Sequence, residues 1–556
     1  MADDRTTRLA RALWARAQPT LAFLGAFTVL SAILDVRYPG AEPSFWYLLP
    51  AIDVVVLLTM LSVIAWRGLR LPRTARIALV AWFMCVRFLR LGDGIEQRFL
   101  YRDFNLYVDL QLIPELVRLY YATVPLYQFL LSLLALLAAV AALAVVAYRA
   151  LLLCERYLAT AARARVLLAV AAALAVASPF VGSNALRLGA FGASSLPRIL
   201  REVAFFANVN EYRAATLKRI ARVERDLARL PSNLAKLERA NVYLFVIESY
   251  GQTATMRSVF ASRMRSVHAR FEAELAQRGF VAASSLLDSP TYGGGSWLAQ
   301  ATLATGIRAS NQFEYELICQ TKPKAIARYF REAGYRTILV QPATTRRWPD
   351  GDFYGFDRKY FAWDFDYRGP AFAWAPMPDQ YVLDFVRRSE QDFAGGPAFV
   401  EYTLVSSHAP WNRQPPLVDD WSKLGNGAIY GRLEVVRYPV TWSDLSRASD
   451  AYIRSLEYDF EVLRRYVGEF IRDESLVVVL GDHQPPAEVT EQNASRGVPI
   501  HVLSRRRSLV DDFVAAGYTR GMRPAATGKK VGMDRFLPTF LERLSAVHTS
   551  QGGTRR

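Results

Sequence analysis

The segment Leu476-Val477-Val478-Val479-Leu480-Gly481-Asp482-His483 constrains this chain more than any other. Its unbroken aliphatic run, rich in valine, fits a strand buried on both faces. The run stops at a glycine, and a carboxylate and an imidazole follow at once. Open α/β sheets build their sites at such strand ends, and Asp with His joins a hard to a borderline metal ligand. The pattern recurs in residues 241–248, which end in Glu248, and in residues 398–406, which lead to His408. Between them, Gly293-Gly294-Gly295-Ser296 reads as a turn presenting a serine at a helix start. Glycines there permit close backbone approach to a phosphate.

From residue 241 onward the patterns alternate. Strands are expected at 241–248, 279–286, 337–342, 398–406, 476–481 and 499–503, with helices such as 299–305, 323–333, 380–389 and 446–472 between them. That alternation specifies an α/β domain with a mainly parallel sheet covered by helices. Each candidate also has a plainer reading: a strand-end carboxylate caps a helix, a glycine run is only a loop, a lone histidine packs. The chain has 5 histidines. His483, directly after Asp482, reads as a metal ligand. His501, inside an apolar strand, reads as a core or supporting residue, and His268 and His548 as surface residues.

The N-terminal third is different. Apolar blocks at about 19–34, 45–66, 75–91, 124–148 and 166–181 approach the roughly 20 residues that cross a bilayer. They are punctuated by arginine, with no lysine before Lys218. Arg5, Arg8, Arg11 and Arg16 precede the first block, Arg67, Arg70, Arg73 and Arg76 follow the second, and Arg149, Arg156, Arg163 and Arg165 follow the fourth. About five spans with the N-terminus inside put all three clusters on the cytoplasmic side and the remainder outside. The connection 92–123 is either an outer-face amphipathic helix or an ordinary loop. A basic helical connector follows, which either lies on an anionic bilayer or is a solvated spacer. The resulting division is 1–183 transmembrane, 184–240 connector, 241–545 outer catalytic domain and 546–556 disordered tail. The net charge of +17 thus belongs to a membrane pattern rather than to nucleic-acid binding. With 3 cysteines dispersed along the chain, neither a disulfide framework nor a thiolate metal site is expected.

Four motifs in order, Ile247-Glu248-Ser249-Tyr250-Gly251, Thr291-Tyr292-Gly293-Gly294-Gly295-Ser296-Trp297, Ser406-Ser407-His408-Ala409-Pro410-Trp411 and Gly481-Asp482-His483, resemble the sulfatase-like branch of the alkaline phosphatase superfamily. With the apolar first third, the whole chain resembles the lipoteichoic acid synthase, phosphoglycerol transferase and phosphoethanolamine transferase group. The resemblance implies an N-terminal helical membrane bundle followed by an alkaline-phosphatase-like α/β domain, in the bacterial inner membrane with the catalytic domain outside. It implies one divalent metal ion, Mn or Zn, held by Glu248, Ser296, Asp482 and His483. Ser296 stands in the place of the family's nucleophile, His408 beside the transferred phosphate, and Trp348 where the glycerol-phosphate group has a substrate-contacting tryptophan. Gln341 stands where the synthases have histidine and Asp350 where they have arginine, and Arg346 and Arg347 are candidates to replace that charge. Sulfatases need a Pro and an Arg after the nucleophile for conversion to formylglycine. Here Ser296 is followed by Trp297-Leu298-Ala299-Gln300, so that motif is absent.

The expected activity is transfer of phosphoglycerol or phosphoethanolamine from a phospholipid donor to an envelope glycan or glycolipid through a phospho-Ser296 intermediate. A metal-activated alkoxide supplies the nucleophile, and Trp297, Tyr292, Trp348 and Trp411 are candidates to line the pocket. The alternative within the same fold is a membrane-tethered phosphodiesterase or phosphatase with water as acceptor. A transporter or receptor with an inactive outer domain is the alternative of another class; it would place more charge inside the spans than Asp53, Arg87 and Arg90.

Overall fold

The computed structural model describes residues 2–35, 50–100, 102–177, 195–393, 395–441, 445, 447–471, 474–490, 494–524 and 530–546. The expected boundary at 183/184, the tail beyond 546 and His548 lie outside these residues. The chain divides into two compact units, Met1–Gln97 with Arg102–Asn210, and Arg98–Tyr101 with Glu211–Arg556.

The first unit is helical. Helices Ala2–Asp35, Ile52–Trp66, Arg73–Phe99, Leu126–Thr160 and Ala162–Ala177 fall on the five apolar blocks, of which residues 45–49 and 178–181 lie outside the described residues. Phe23, Leu30, Val54, Leu58, Phe83, Leu151 and Leu158 form a shared core. Among the described residues, two stretches are long and apolar enough to cross a membrane, Ala17–Asp35 and Leu126–Thr160. Five helices are therefore present where five spans were expected, but the described lengths support two. The reason is local. Arginines and acids enter the Arg73–Phe99 helix, and the Ile52–Trp66 and Ala162–Ala177 helices are short. The Leu126–Thr160 helix leaves Leu130, Leu134, Leu137 and Val145 exposed, a continuous apolar surface that water would penalise and lipid would not. The expected connector is helical, within Leu196–Ala228.

The second unit is built on a 9-stranded sheet. Its strands are β1 Val242–Ile247, β2 Val281–Asp288, β3 Arg336–Gln341, β4 Arg358–Phe361, β5 Ala398–Leu404, β8 Leu476–Gly481, β9 Gly497–Ser504, β10 Thr519–Arg520 and β11 Val531–Gly532; β6 Arg413–Gln414 and β7 Val436–Arg437 make a separate hairpin. The order is β10-β2-β9-β8-β1-β5-β3-β4, with β11 on β2. All six expected strands are present. β8, β1, β5, β3 and β4 run parallel, whereas β9 is antiparallel to both β8 and β2. The apolar pattern marks a buried strand without marking its direction. β4, Arg-Lys-Tyr-Phe, lacks such a run and was not expected.

Register decides what the strand ends present. Val246 pairs with Thr403 and with Leu480. The two-residue pleat then puts Glu401, Thr403, Glu248 and Asp482 on one face, and Phe245, Tyr402 and Val479 on the other. The first face meets the Ser296–Thr305 helix, whose Gln300 side-chain amide donates to Thr403 Oγ1. The second face meets helices Ser258–Gln277 and Ser449–Phe470 through Phe260, Phe271, Phe460 and Tyr466. The parallel central strands thus deliver their C-terminal residues to one edge.

Candidate metal and phosphate site

Gly481 and Gly295 explain how the site closes. A Cβ on Gly481 would lie 1.8 Å from Tyr250 O, so only glycine lets the β8 end lie against the loop after β1. Gly295 caps the Ser296–Thr305 helix at φ 76, a left-handed conformation that favours glycine. Gly293 N donates to Gln484 O at 2.9 Å and ties the glycine turn to the loop after His483. Ser296 therefore opens a helix whose first N–H groups and dipole favour negative charge.

Four side chains converge. Ser296 Oγ lies 3.0 Å from Glu248 Oε2 and 3.1 Å from His483 Nε2. His483 Nε2 is also 3.2 Å from Glu248 Oε1 and 3.5 Å from Asp482 Oδ2. Asp482 Oδ1 accepts from the backbone of Ser249 at 2.8 Å and of His483 at 2.6 Å, while its buried Oδ2 has no hydrogen-bond partner. His483 Nδ1 lies 2.8 Å from Gln484 O and must donate to it, so Nε2 is the ring nitrogen turned to Ser296. Glu248, Asp482 and His483 can offer ligand atoms that all lie within 4.8 Å of one another.

The electrostatics ask for a cation. Burial lowers the His483 imidazole, but Asp482 and Glu248 override it and raise it to about 9. Burial and the neighbouring Glu248 push Asp482 up to about 7. Glu248 is held low, because the neighbouring His483 imidazolium outweighs its desolvation. Two buried carboxylates, an imidazole nitrogen and a hydroxyl, with one carboxylate oxygen left without a hydrogen bond, make a donor set that fits a divalent ion, which would take the place of the imidazole proton.

His408 is partly buried, and its Nδ1–H donates to Ala409 O at 2.6 Å. Desolvation lowers its pKa against the pull of Glu248, which favours the neutral ring with its lone pair on Nε2. Its loop is held from below. Ser407 Oγ donates to Glu248 O at 2.7 Å, and Asp379 accepts from Val405 N at 3.0 Å and Ser406 N at 2.8 Å.

The remaining expected residues sit in different settings. Trp297 is exposed, and its indole N–H donates to Gln312 Oε1 at 3.0 Å. Gln341 is buried and donates to Gln300 Oε1 at 2.9 Å, so it is joined to the serine helix one turn below Ser296. Trp348 leads a 3₁₀ turn, Pro349–Tyr354, and leans on Tyr354. Arg346, Arg347 and Asp350 are near it in the same loop, and all three are exposed. Trp411 is buried, donates to Ser407 O at 2.5 Å and packs edge-on against Tyr452; it braces the His408 loop. Tyr292 is likewise buried, with its hydroxyl on Thr490.

Two features were missed in the sequence. His268, expected at the surface, is 2% exposed. Its Nε2 and that of His501 each lie 2.9 Å from Tyr250 Oη. Ser284 donates to Gly521 O, so His501 Nδ1–H donates to Ser284 Oγ. Tyr250 then donates to His501 and accepts from His268. Both rings are neutral, because burial pushes His268 down to about 3 and His501 well below its ordinary value. This chain of hydrogen bonds anchors the loop after Glu248. The second feature is Trp374, whose ring stacks on His408. Neither could be read from spacing, since every contact joins distant segments.

The sulfatase family model matches residues 236–538. No curated protein sequence matches the chain. Among solved structures, the lipoteichoic acid synthase LtaP from Listeria monocytogenes is similar at 16% identity, covering 56% of this chain and 73% of its own, with a TM-score of 0.35. The Streptococcus pyogenes phosphoglycerol transferase GacH, in complex with sn-glycerol-1-phosphate, is 14% identical and covers 59% and 92%, with a TM-score of 0.35. The zinc complex of the C-terminal periplasmic domain of EcEptC from Escherichia coli is 14% identical and covers 55% and 83%, with a TM-score of 0.36.

Proposed function

From the premise that the chain belongs to the sulfatase family, whose model spans more than half of it, we propose that it is a membrane-bound, metal-dependent phospho-headgroup transferase. It takes phosphoglycerol or phosphoethanolamine from a phospholipid and passes it to an envelope glycan or glycolipid. The catalytic domain, residues 241–545, lies outside the inner membrane, carried by a transmembrane domain of about five spans (residues 1–183) and the basic connector 184–240. The observation that carries this reading is the convergence of Ser296 Oγ with Glu248 and His483 at a helix N-terminus.

Glu248, Asp482 and His483, with Ser296 Oγ, would hold one divalent ion, Mn or Zn, which supplies the charge that lowers the serine pKa and offsets that of the phosphodiester. Ser296 Oγ attacks phosphorus, its proton leaving towards Glu248. The Oγ–P bond forms as the bond to the diacylglycerol oxygen breaks, and that oxygen leaves with the proton that Ser296 gave up through Glu248. The helix N-terminus stabilises the charge on the phosphoryl oxygens. In the second step His408 Nε2 takes the proton of the acceptor hydroxyl, which attacks phosphorus; the Oγ–P bond breaks, and Ser296 Oγ takes that proton from His408. Gln341, Trp348, Trp297, Arg346 and Arg347 are assigned to the headgroup, and Trp411 to holding His408 beside it. Water in place of the acceptor hydroxyl would turn the same site into a phosphodiesterase.

The test is intact-mass analysis of the full chain with Mn or Zn and headgroup-labelled phosphatidylglycerol or phosphatidylethanolamine. A labelled adduct on Ser296 with release of diacylglycerol is expected, and the lipid that gives it names the headgroup. Neither adduct nor diacylglycerol from either lipid refutes the transferase reading.

A further inference from the structure

Trp374 sits on a built turn. Phe372 N donates to Ala375 O and Ala375 N to Phe372 O, both at 2.9 Å, so Ala373 and Trp374 form a two-residue reversal. Ala373 takes φ 50, a left-handed conformation that is strained for an L-residue and that turns of this kind usually give to glycine. The flanking residues are sunk, Phe372 at 1% exposed and Ala375 at 2%, while Trp374 stays 39% exposed. A few residues on, Asp379 takes the backbone N–H groups of Val405 and Ser406, and its own N–H donates to Ser406 Oγ at 3.1 Å. The segment bearing Trp374 is thereby clamped to the segment that leads into His408. Above the clamp the two rings stack, with centroids 4.0 Å apart and planes 17° from parallel.

Core packing does not account for this. Trp411 and Trp421 serve the core and are buried; Trp374 is held out on a strained reversal, and such strain gathers where geometry serves function. The stack covers one face of the imidazole, and the bond from Nδ1 to Ala409 O fixes its edge. The Nε2 edge is the one that can meet a substrate proton. We propose that Trp374 is a positioning residue for the transfer reaction: it sets the plane of the His408 ring and so aims Nε2 at the proton in flight. The inference rests on the transferase reading, in which His408 handles that proton.

The experiment uses the full-length protein in detergent with the labelled phospholipid donor, comparing wild type with Trp374→Ala, Trp374→Leu and Trp374→Phe. Misaiming a catalytic group by about 1 Å costs on the order of 100-fold. Trp374→Ala and Trp374→Leu should therefore lower kcat by roughly 10- to 100-fold with little change in KM, while Trp374→Phe, which keeps a stacking ring, should retain most of kcat. In protein labelled at its histidines, the His408 Cε1–H resonance should move in the Ala and Leu variants and stay near its place in the Phe variant. That reading needs no substrate. An unchanged resonance or unchanged kcat in Trp374→Leu would overturn the inference, as would an effect confined to KM. An inactive wild type with a shifted resonance would instead sink the transferase reading and leave the ring-setting role standing.

Discussion

At the scale of single residues, the proposal turns on Ser296 being a nucleophile rather than one more metal ligand. Ser296→Ala should remove adduct formation and transfer while leaving the two carboxylates and His483 to bind Mn. Metal titration alongside intact mass checks both halves, and normal transfer in that variant would sink the assignment. Glu401 makes an independent prediction. It lies in the middle of β5 and is 4% exposed, and burial alone pushes its carboxyl up from 4.5 to about 7. The folded state then holds this proton more tightly than the unfolded state does. Stability from the group is full below about pH 4.5 and is lost as the pH rises to about 7, by up to about 3 kcal/mol at the usual 1.36 kcal/mol per unit. Glu401→Gln should match wild type at pH 5 and melt higher than it at pH 8; equal melting at pH 8 would refute the effect. The residues of the site were legible because each stands beside a local signal, a strand end or a glycine turn. Trp374, Asp379 and the partners of Tyr250 were not, because each acts through a contact with a segment far away in the sequence.

At the scale of elements, the strands set where the site forms, and the turns just past their ends carry its side chains. β1 and β8 lie side by side in parallel, and Gly481 is what allows the loop after β1 to close on the end of β8. That loop is held from the opposite face of the sheet by Tyr250 and its two histidines. Tyr250→Phe would leave the N–H of His268 and the Nε2 of His501 buried without partners. Orphaned buried groups cost about 1–3 kcal/mol each, so the variant should unfold at lower denaturant and bind metal more weakly, with the slope of the transition unchanged. Unaltered stability would mean that the network is dispensable. The central strands were legible from short runs rich in aliphatic and aromatic residues. The direction of β9 and the existence of β4 were not, since pairing is settled by neighbours distant in sequence.

At the scale of the whole chain, the five apolar blocks were legible as helices, but the number that cross a bilayer depends on length and on the charges between them. The division into two units places the candidate metal ligands in one of them. Glu248, Ser296, His408, Asp482 and His483 all belong to the second unit, so a bound ion stabilises that unit and not the first. Binding to the folded state alone contributes RT ln(1 + [L]/Kd), about 2.7 kcal/mol at about 100 times Kd. Two independent folding units should give separable transitions on heating. Chelation of the intact protein should therefore lower one transition and leave the other in place, and Mn or Zn added back should restore it. In Asp482→Asn the same transition should no longer respond to the ion, because the carboxylate that carries the unpaired oxygen has lost its charge. Were both transitions to move together on chelation, or neither, the ion would not be a ligand of the second unit alone.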